Sequence, residues 1–288
     1  MATPQPKERY ANVNGLQFHF RDWGGHGHPI FLLHGLASHC SIWDLVAPIL
    51  ARSARVVALD LRGHGGTDKP HEGYDFNTVA RDVMGICRIL GLRKPLVAGH
   101  SWGGNVALHC AANYPGEFAR LAMVDGGYIE PSSLPGWTWE RAREELAPPN
   151  FGQVTLKQVT DRIKSGSLAP YMTPAIEKIL AANFHVTPEG FARPNLSREN
   201  HMRIVRALWE HKPSLLFPKV KCPTLILPAR KEVPHLSRAG HQEFLVSRAE
   251  SLLPNSMVTW LEDSIHDVPL QRPRHVAQLL LDFTNSTP

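Results

Sequence analysis

Short unbroken apolar runs alternate along this chain with longer stretches whose apolar residues recur every three or four positions. Pro29-Ile30-Phe31-Leu32-Leu33, Arg55-Val56-Val57-Ala58-Leu59-Asp60, Pro95-Leu96-Val97-Ala98, Arg120-Leu121-Ala122-Met123-Val124, Cys222-Pro223-Thr224-Leu225-Ile226-Leu227 and Met257-Val258-Thr259-Trp260-Leu261 predict strands. Those nearest the middle of the chain lack polar alternation, the mark of strands covered on both faces. Residues 42–50, 78–90, 105–112, 242–253 and 273–283 carry helical spacing instead, and the second of these stops at Gly91. Residues 10–20 predict two short strands about Asn12-Val13-Asn14-Gly15, because Asn-Gly accommodates the positive φ angles of a tight hairpin. Strands alternating with helices through short loops predict an α/β protein, a mostly parallel eight-stranded sheet flanked by helices.

The alternation stops near Tyr128. Residues 128–212 show helical patterns at 139–146, 156–164, 174–183 and 198–210, parted by proline-rich breaks, and no convincing strand. The expectation is a helical cap inserted over the carboxyl edge of the sheet, with residues 10–127 and 213–288 forming the core. Trp137, Trp139, Tyr171 and Met172 in the insertion are candidates to line a substrate pocket. For most aromatic residues there, packing the insertion's own interior is the plainer expectation.

Composition narrows the classes of function. The chain has 288 residues, 43% hydrophobic and 20% charged, as in an ordinary globular protein. A net charge of +5 comes from Lys and Arg interleaved with Asp and Glu, without a basic block, so no nucleic-acid partner is expected. The four cysteines, Cys40, Cys87, Cys110 and Cys222, lie far apart with no metal-ligand spacing, and free thiols with no metal or other cofactor are expected. No apolar run approaches membrane-spanning length and residues 1–9 carry no apolar signal core, so the expected setting is cytoplasmic, away from membranes.

Chemistry is suggested by Gly99-His100-Ser101-Trp102-Gly103, a G-x-S-x-G pattern. Alone it arises often by chance. Here a predicted strand precedes it and a predicted helix follows, the context in which glycines let strand and helix nearly touch and the serine occupies a strained turn. A serine hydroxyl needs a positioned base to act as a nucleophile. Among 16 histidines, His266 stands out because it follows the last predicted strand, at the sheet edge where Ser101 emerges. His34, His64 and His100 adjoin glycines near the same edge and are expected to hold loops by hydrogen bonds.

His34-Gly35 after the third strand, Asp60-Leu61-Arg62-Gly63-His64-Gly65 after the fourth, the Gly99 to Gly103 turn and His266 after the eighth together resemble the α/β-hydrolase fold, across essentially the whole chain from Tyr10. The resemblance implies Ser101 as nucleophile, His266 as general base and then acid, and an oxyanion hole from the backbone amides of Leu36 and Trp102. The acid of the triad is less plain. Most of the family carries it in a G-x-x-D-like loop after the seventh strand, where this chain reads Ala229-Arg230-Lys231-Glu232. The family's other position, the end of the sixth strand, holds Asp125-Gly126-Gly127. Asp125 is the preferred reading and Glu232 the alternative. Dehalogenases and epoxide hydrolases of this fold place Asp at the turn, so a serine there points away from an alkyl-enzyme and toward acyl transfer. The resemblance therefore implies an esterase or lactonase acting on a small to medium apolar substrate. Alternatives are hydrolysis of a C–C bond in a diketone, perhydrolysis, or a non-catalytic receptor, the last favoured by the altered loop at residues 229–232.

Overall fold

The computed structural model describes residues 4–230 and 239–286. A hairpin of β1 (Lys7–Val13) and β2 (Leu16–Gly24) turns at Asn14 and Gly15, with φ of 51° and 79°, the positive pair a tight hairpin requires. The chain then runs through β3 (Pro29–Leu33), α1 (Ala47–Leu50), β4 (Arg55–Leu59), α2 (Phe76–Ile89), β5 (Leu96–His100), α3 (Trp102–Asn113) and β6 (Arg120–Val124). An excursion follows, comprising α4 (Trp139–Glu145), α5 (Leu156–Lys164), α6 (Pro174–Ala181), β7 (Phe184–Val186), β8 (Ala192–Pro194) and α7 (Arg198–Glu210). The chain returns through β9 (Thr224–Leu227), α8 (Ala239–Leu252), β10 (Ser256–Val258), α9 (Val268–Gln271) and α10 (Pro273–Asn285).

Eight strands form one sheet in the order β1-β2-β4-β3-β5-β6-β9-β10. The hairpin pairs antiparallel at one edge, and every neighbour from β4 onward is parallel. Alternation along the strands divides the core in two. Phe31, Leu33, Val57, Leu59, Val97, Leu121 and Met123 face α2 and α3 on one side. Ile30, Leu32, Val56, Ala58, Leu96, Ala98 and Ala122 face the layer of α1 and α10 on the other. Both sets are buried, which is why these strands read as continuous apolar runs. α2 begins where the Asp75 carboxylate accepts the Thr78 amide at 2.9 Å, and its apolar stripe of Val79, Val83 and Ile86 is buried.

Two local expectations need correction. Residues 42–50 are not one helix but a 3₁₀ turn, Cys40–Trp43, followed by the short α1. Pro48, second in α1, has no amide to donate, and its ring would collide with the carbonyl four residues back. The excursion also contains strands after all: β7 and β8 pair antiparallel, and Thr155 bridges Phe191 beside them. At three residues each, with His185 and Arg193 at their centres, they carry no readable apolar period.

The excursion contributes side chains to both clusters of the core. Leu196, Ile204 and Leu208 join the core on one face of the sheet, whereas Leu168, Ile176 and Ile179 join that on the other.

α3 and the end of β3 approach so closely that a Cβ on Gly103 would lie 2.3 Å from the His34 carbonyl oxygen and 2.8 Å from that of Leu33. Backbone atoms of a central strand cannot yield cheaply. Gly103→Ala is expected to lower stability by ~1–3 kcal/mol, read as a reduced urea midpoint at unchanged slope.

Candidate active site

Ser101 occupies the single residue between β5 and α3, with φ 55° and ψ −126°. A non-glycine residue there carries strain of order 1–3 kcal/mol, which persists only where the surroundings fix it. The fixing is visible. The Ser101 amide donates to the Val124 carbonyl of the neighbouring strand at 3.0 Å, and α3 starts immediately beyond.

The hydroxyl of Ser101 lies 2.9 Å from His266 Nε2, and His266 Nδ1 lies 2.6 Å from Asp125 Oδ2. Nδ1–H therefore donates to the carboxylate, and Nε2 is left with its lone pair toward the serine hydroxyl. His266 sits in the loop after β10. His100, at the end of β5, donates from Nε2 to the His266 carbonyl at 2.8 Å and so ties that loop to the strand that carries Ser101. Burial pushes the His100 imidazole down to about 4, so it remains a neutral donor.

Asp125 follows β6 with φ 41° and is only 7% exposed. One oxygen, Oδ2, serves His266. The other accepts three hydrogen bonds: the Tyr128 hydroxyl at 2.7 Å, the Ala229 amide at 3.0 Å and Gln242 Nε2 at 2.9 Å. Sequence reasoning missed all three donors. Tyr128 lies three residues beyond the acid without a distinguishing pattern, Ala229 contributes backbone, and Gln242 arrives from α8 across the interior. Burial alone would raise the carboxyl, but the hydrogen bond and charge of His266, with Tyr128 and Ala229, hold it below the usual carboxylate range.

The imidazole of His266 responds in the opposite sense. Desolvation pulls its pKa down, yet the hydrogen bond and negative charge of Asp125, aided by Asp267, raise it above 6.5. Asp125 contributes stability above its unfolded value of ~3.9 and loses it as pH falls. His266 contributes below ~6.5 and loses it as pH rises through the raised value, so the pair stabilises most between ~4 and ~6.5.

Glu232, the alternative acid, lies outside the described residues, as does Lys231. Arg230 beside them stacks 4.0 Å over the Trp260 ring and pairs with Glu243 at 3.3 Å and Glu262 at 3.5 Å. The amides of Trp102, first in α3, and Leu36, in the loop after β3, have no backbone acceptor among the described residues.

The four cap candidates part company. Trp137 lines a cavity of about 1020 Å³ with Ile129, Leu134, Phe244 and Leu245. Gln242 lines it too, so this space lies on the far side of Asp125, and neither Ser101 nor His266 is among its described walls. Trp139 packs on Trp209 with Arg206 stacked 4.6 Å over its ring. Tyr171 is exposed, and Met172 packs against the core shared by Ile176 and Ile179. A smaller cavity of about 210 Å³ abuts Ala37 and Ser38, next to Leu36, under Phe151, Phe184 and Leu196.

His19 Nδ1, Cys40 Sγ and Asp60 lie within 4.8 Å of one another, a donor set that a metal could use. Their atoms are already engaged. Asp60 accepts from His19 at 2.7 Å, from the Cys40 amide at 2.6 Å and from the Gly66 amide at 2.8 Å, and His19 Nε2 reaches Glu8 at 2.6 Å. With both ring nitrogens donating to carboxylates, His19 is raised above its ordinary value despite burial, and the cluster is a charged brace between hairpin and loop.

An eight-stranded, mostly parallel sheet with a serine in a strained turn after its central strand and a histidine after its last defines an α/β-hydrolase fold. A sequence model described as alpha/beta hydrolase fold matches residues 28–160. A soluble epoxide hydrolase of Corynebacterium is 40% identical over 115 residues, 40% of each chain. The chain thus spans about two fifths of the length of that relative. Along 96% of this chain and 97% of its own, the AB hydrolase superfamily protein YfhM of Bacillus subtilis is 25% identical. The crystal structure of E-2-(acetamidomethylene)succinate hydrolase superposes with a TM-score of 0.79 at 20% identity, over 98% of this chain and 100% of that one. Residues 28–160 thus match the alpha/beta hydrolase fold family, and the architecture of the chain is that fold.

The coupling of His266 to Asp125 is measurable without a substrate. An NMR titration of the His266 ring is expected to give a pKa above 6.5 in the unmodified protein and a lower one in Asp125→Asn, where burial acts unopposed by that charge. Equal values in the two proteins would contradict the assignment.

Proposed function

We propose that this protein is a serine hydrolase that cleaves carboxylic esters, or lactones, of small to medium apolar substrates through an acyl-enzyme. The observation that carries the reading is the unbroken hydrogen-bond chain from Ser101 through His266 to Asp125, at 2.9 and 2.6 Å. In this reading His266 takes the hydroxyl proton as Ser101 Oγ attacks the carbonyl carbon. Asp125 holds the imidazole in the right tautomer and stabilises the imidazolium, and the same proton then goes to the leaving alkoxide. Water repeats the cycle on the acyl-enzyme. The Trp102 and Leu36 amides receive the oxyanion, where preorganised donors are each worth ~3 kcal/mol to the tetrahedral transition state.

The character of the surroundings supports an uncharged substrate. The smaller cavity adjoins the Leu36 loop through Ala37 and Ser38 rather than Ser101 or His266, has no Asp, Glu, Lys or Arg among its described walls, and is bounded by Phe151, Phe184, Pro148, Pro149 and Leu196 with Asn183, Asn195 and His201. The epoxide-hydrolase activity in the name of one relative does not carry over readily, because a serine stands at the turn where such enzymes of this fold use Asp. A first, fast release of alcohol followed by slower turnover is the kinetic sign of the acyl-enzyme.

A fluorophosphonate probe is expected to label Ser101, located by peptide mapping, and p-nitrophenyl butyrate to give a burst equal to the enzyme concentration. Ser101→Ala should abolish both, and Asp125→Asn should lower kcat by ~10³–10⁴-fold at unchanged fold. Because the base must be neutral, kcat/KM should rise with pH through a pKa above 6.5. Wild-type turnover in Ser101→Ala would refute the reading.

A further inference from the structure

The two amides assigned to the oxyanion hole belong to separate segments, and one buried side chain touches both. His64, in the loop after β4, is 1% exposed. Its Nδ1–H donates to the Arg62 carbonyl at 2.9 Å, which leaves Nε2 unprotonated. That nitrogen accepts the Ala37 amide at 3.3 Å. The face of the same ring stacks on Trp102, with centroids 5.5 Å apart and planes inclined by 27°. His34 closes its other approaches at 4.8 Å, itself fixed by a bond from Nδ1 to the Gly35 carbonyl and one from the Leu61 amide to Nε2.

Ala37 has φ 58°, a strained conformation for an L residue. The turn is closed by the Ser38 amide on the Gly35 carbonyl at 3.3 Å, and His64 adds a hold from the side-chain side. Of two successive amides on this strained loop, the ring engages the second and leaves the first, that of Leu36, without a backbone acceptor among the described residues. The aromatic contact meanwhile fixes the residue whose amide opens α3.

We propose that His64 is a positioning residue of the oxyanion hole, one rigid ring that sets the separation and direction of the Leu36 and Trp102 amides. The inference rests on the serine-hydrolase reading above. Burial, with His34 alongside, keeps the imidazole neutral well below 6.5, so the accepting lone pair persists wherever His266 is active. Bulk alone would not serve: an apolar ring could stack on Trp102 but would give the amide of the exposed Ala37 no acceptor and so release that end of the loop to water.

The test compares substrate turnover with binding of an alkyl trifluoromethyl ketone. Ser101 Oγ adds to the ketone carbon, its proton passes to His266, and the former carbonyl oxygen becomes an anion in the hole. In His64→Leu, kcat for p-nitrophenyl butyrate is expected to fall ~10- to 100-fold, less than the ~10²- to 10³-fold reported for outright loss of an oxyanion donor, with KM nearly unchanged. Affinity for the trifluoromethyl ketone should fall by the same factor, whereas inhibition by butyrate, which forms no adduct, should not move. His64→Gln keeps an acceptor and should show a smaller, still matched, loss in both quantities. It carries the comparison alone if the leucine variant does not fold. A fall in kcat without a matching fall in ketone affinity, or no change in either, overturns the proposal. Turnover that survives Ser101→Ala would instead remove the serine-hydrolase reading itself, so the two failures are distinguishable.

Discussion

An ionised carboxylate withdrawn from water is stable only if its lost hydration is replaced, and at Asp125 the replacement organises the site. Each oxygen is served from a different quarter: Oδ2 by His266 from the loop after β10, Oδ1 by Tyr128, by the Ala229 amide after β9 and by Gln242 on α8. The segment after β6 itself, the end of β9, α8 and the loop after β10 thus meet at one group. Loss of any one donor would expose part of that charge to an apolar interior. The arrangement makes His266 both accurately aimed and readily charged, and the same bonds tie the carboxyl ends of β6 and β9 to α8.

The surroundings of Ser101 are braced just as heavily, though by other means. Beyond His34, whose Nε2 accepts the Leu61 amide, the loop to Cys40 is pinned at three further points. His64 holds the Ala37 amide, Asp60 accepts the Cys40 amide, and His39 Nε2 donates to the Ile179 carbonyl of α6 at 2.9 Å. The first two pins descend from the segment after β4, and the third comes from the excursion between β6 and β9. The Leu36 amide, which the proposed reading gives to the oxyanion, is left without a backbone acceptor among the described residues while its neighbours' hydrogen bonds are assigned elsewhere.

What the chain disclosed on reading, and what it withheld, divides along a physical line. The α/β architecture was legible because β3, β4, β5 and β6 are buried on both faces, and such strands can only be continuous apolar runs. α5 and α7 were legible to the residue because Thr155 and Ser197 cap their first turns. Pro48, by contrast, breaks a helix whose apolar spacing continues past it, and β7 and β8 are too short to show a period. At the site, the choice between Asp125 and Glu232 could not be made from residue types, since it depends on where a side chain points. The structure brings Asp125 to His266, and Glu232 lies outside the described residues. Nor could the sequence have found Gln242, whose relation to Asp125 exists only once α8 is laid against the sheet. The aromatic residues of the excursion were legible as a group but not individually: Trp137 faces open space and Trp139 does not.

The excursion's apolar side chains go to both sides of the sheet, and this bears on how the molecule can vary. Ile204 and Leu208 complete one interior layer, and Ile176 and Ile179 the other. Truncating these side chains would therefore cost stability in the core itself, so under the proposed reading Phe151 and Phe184, which border the smaller cavity and belong to neither cluster, are the cheaper places to change specificity.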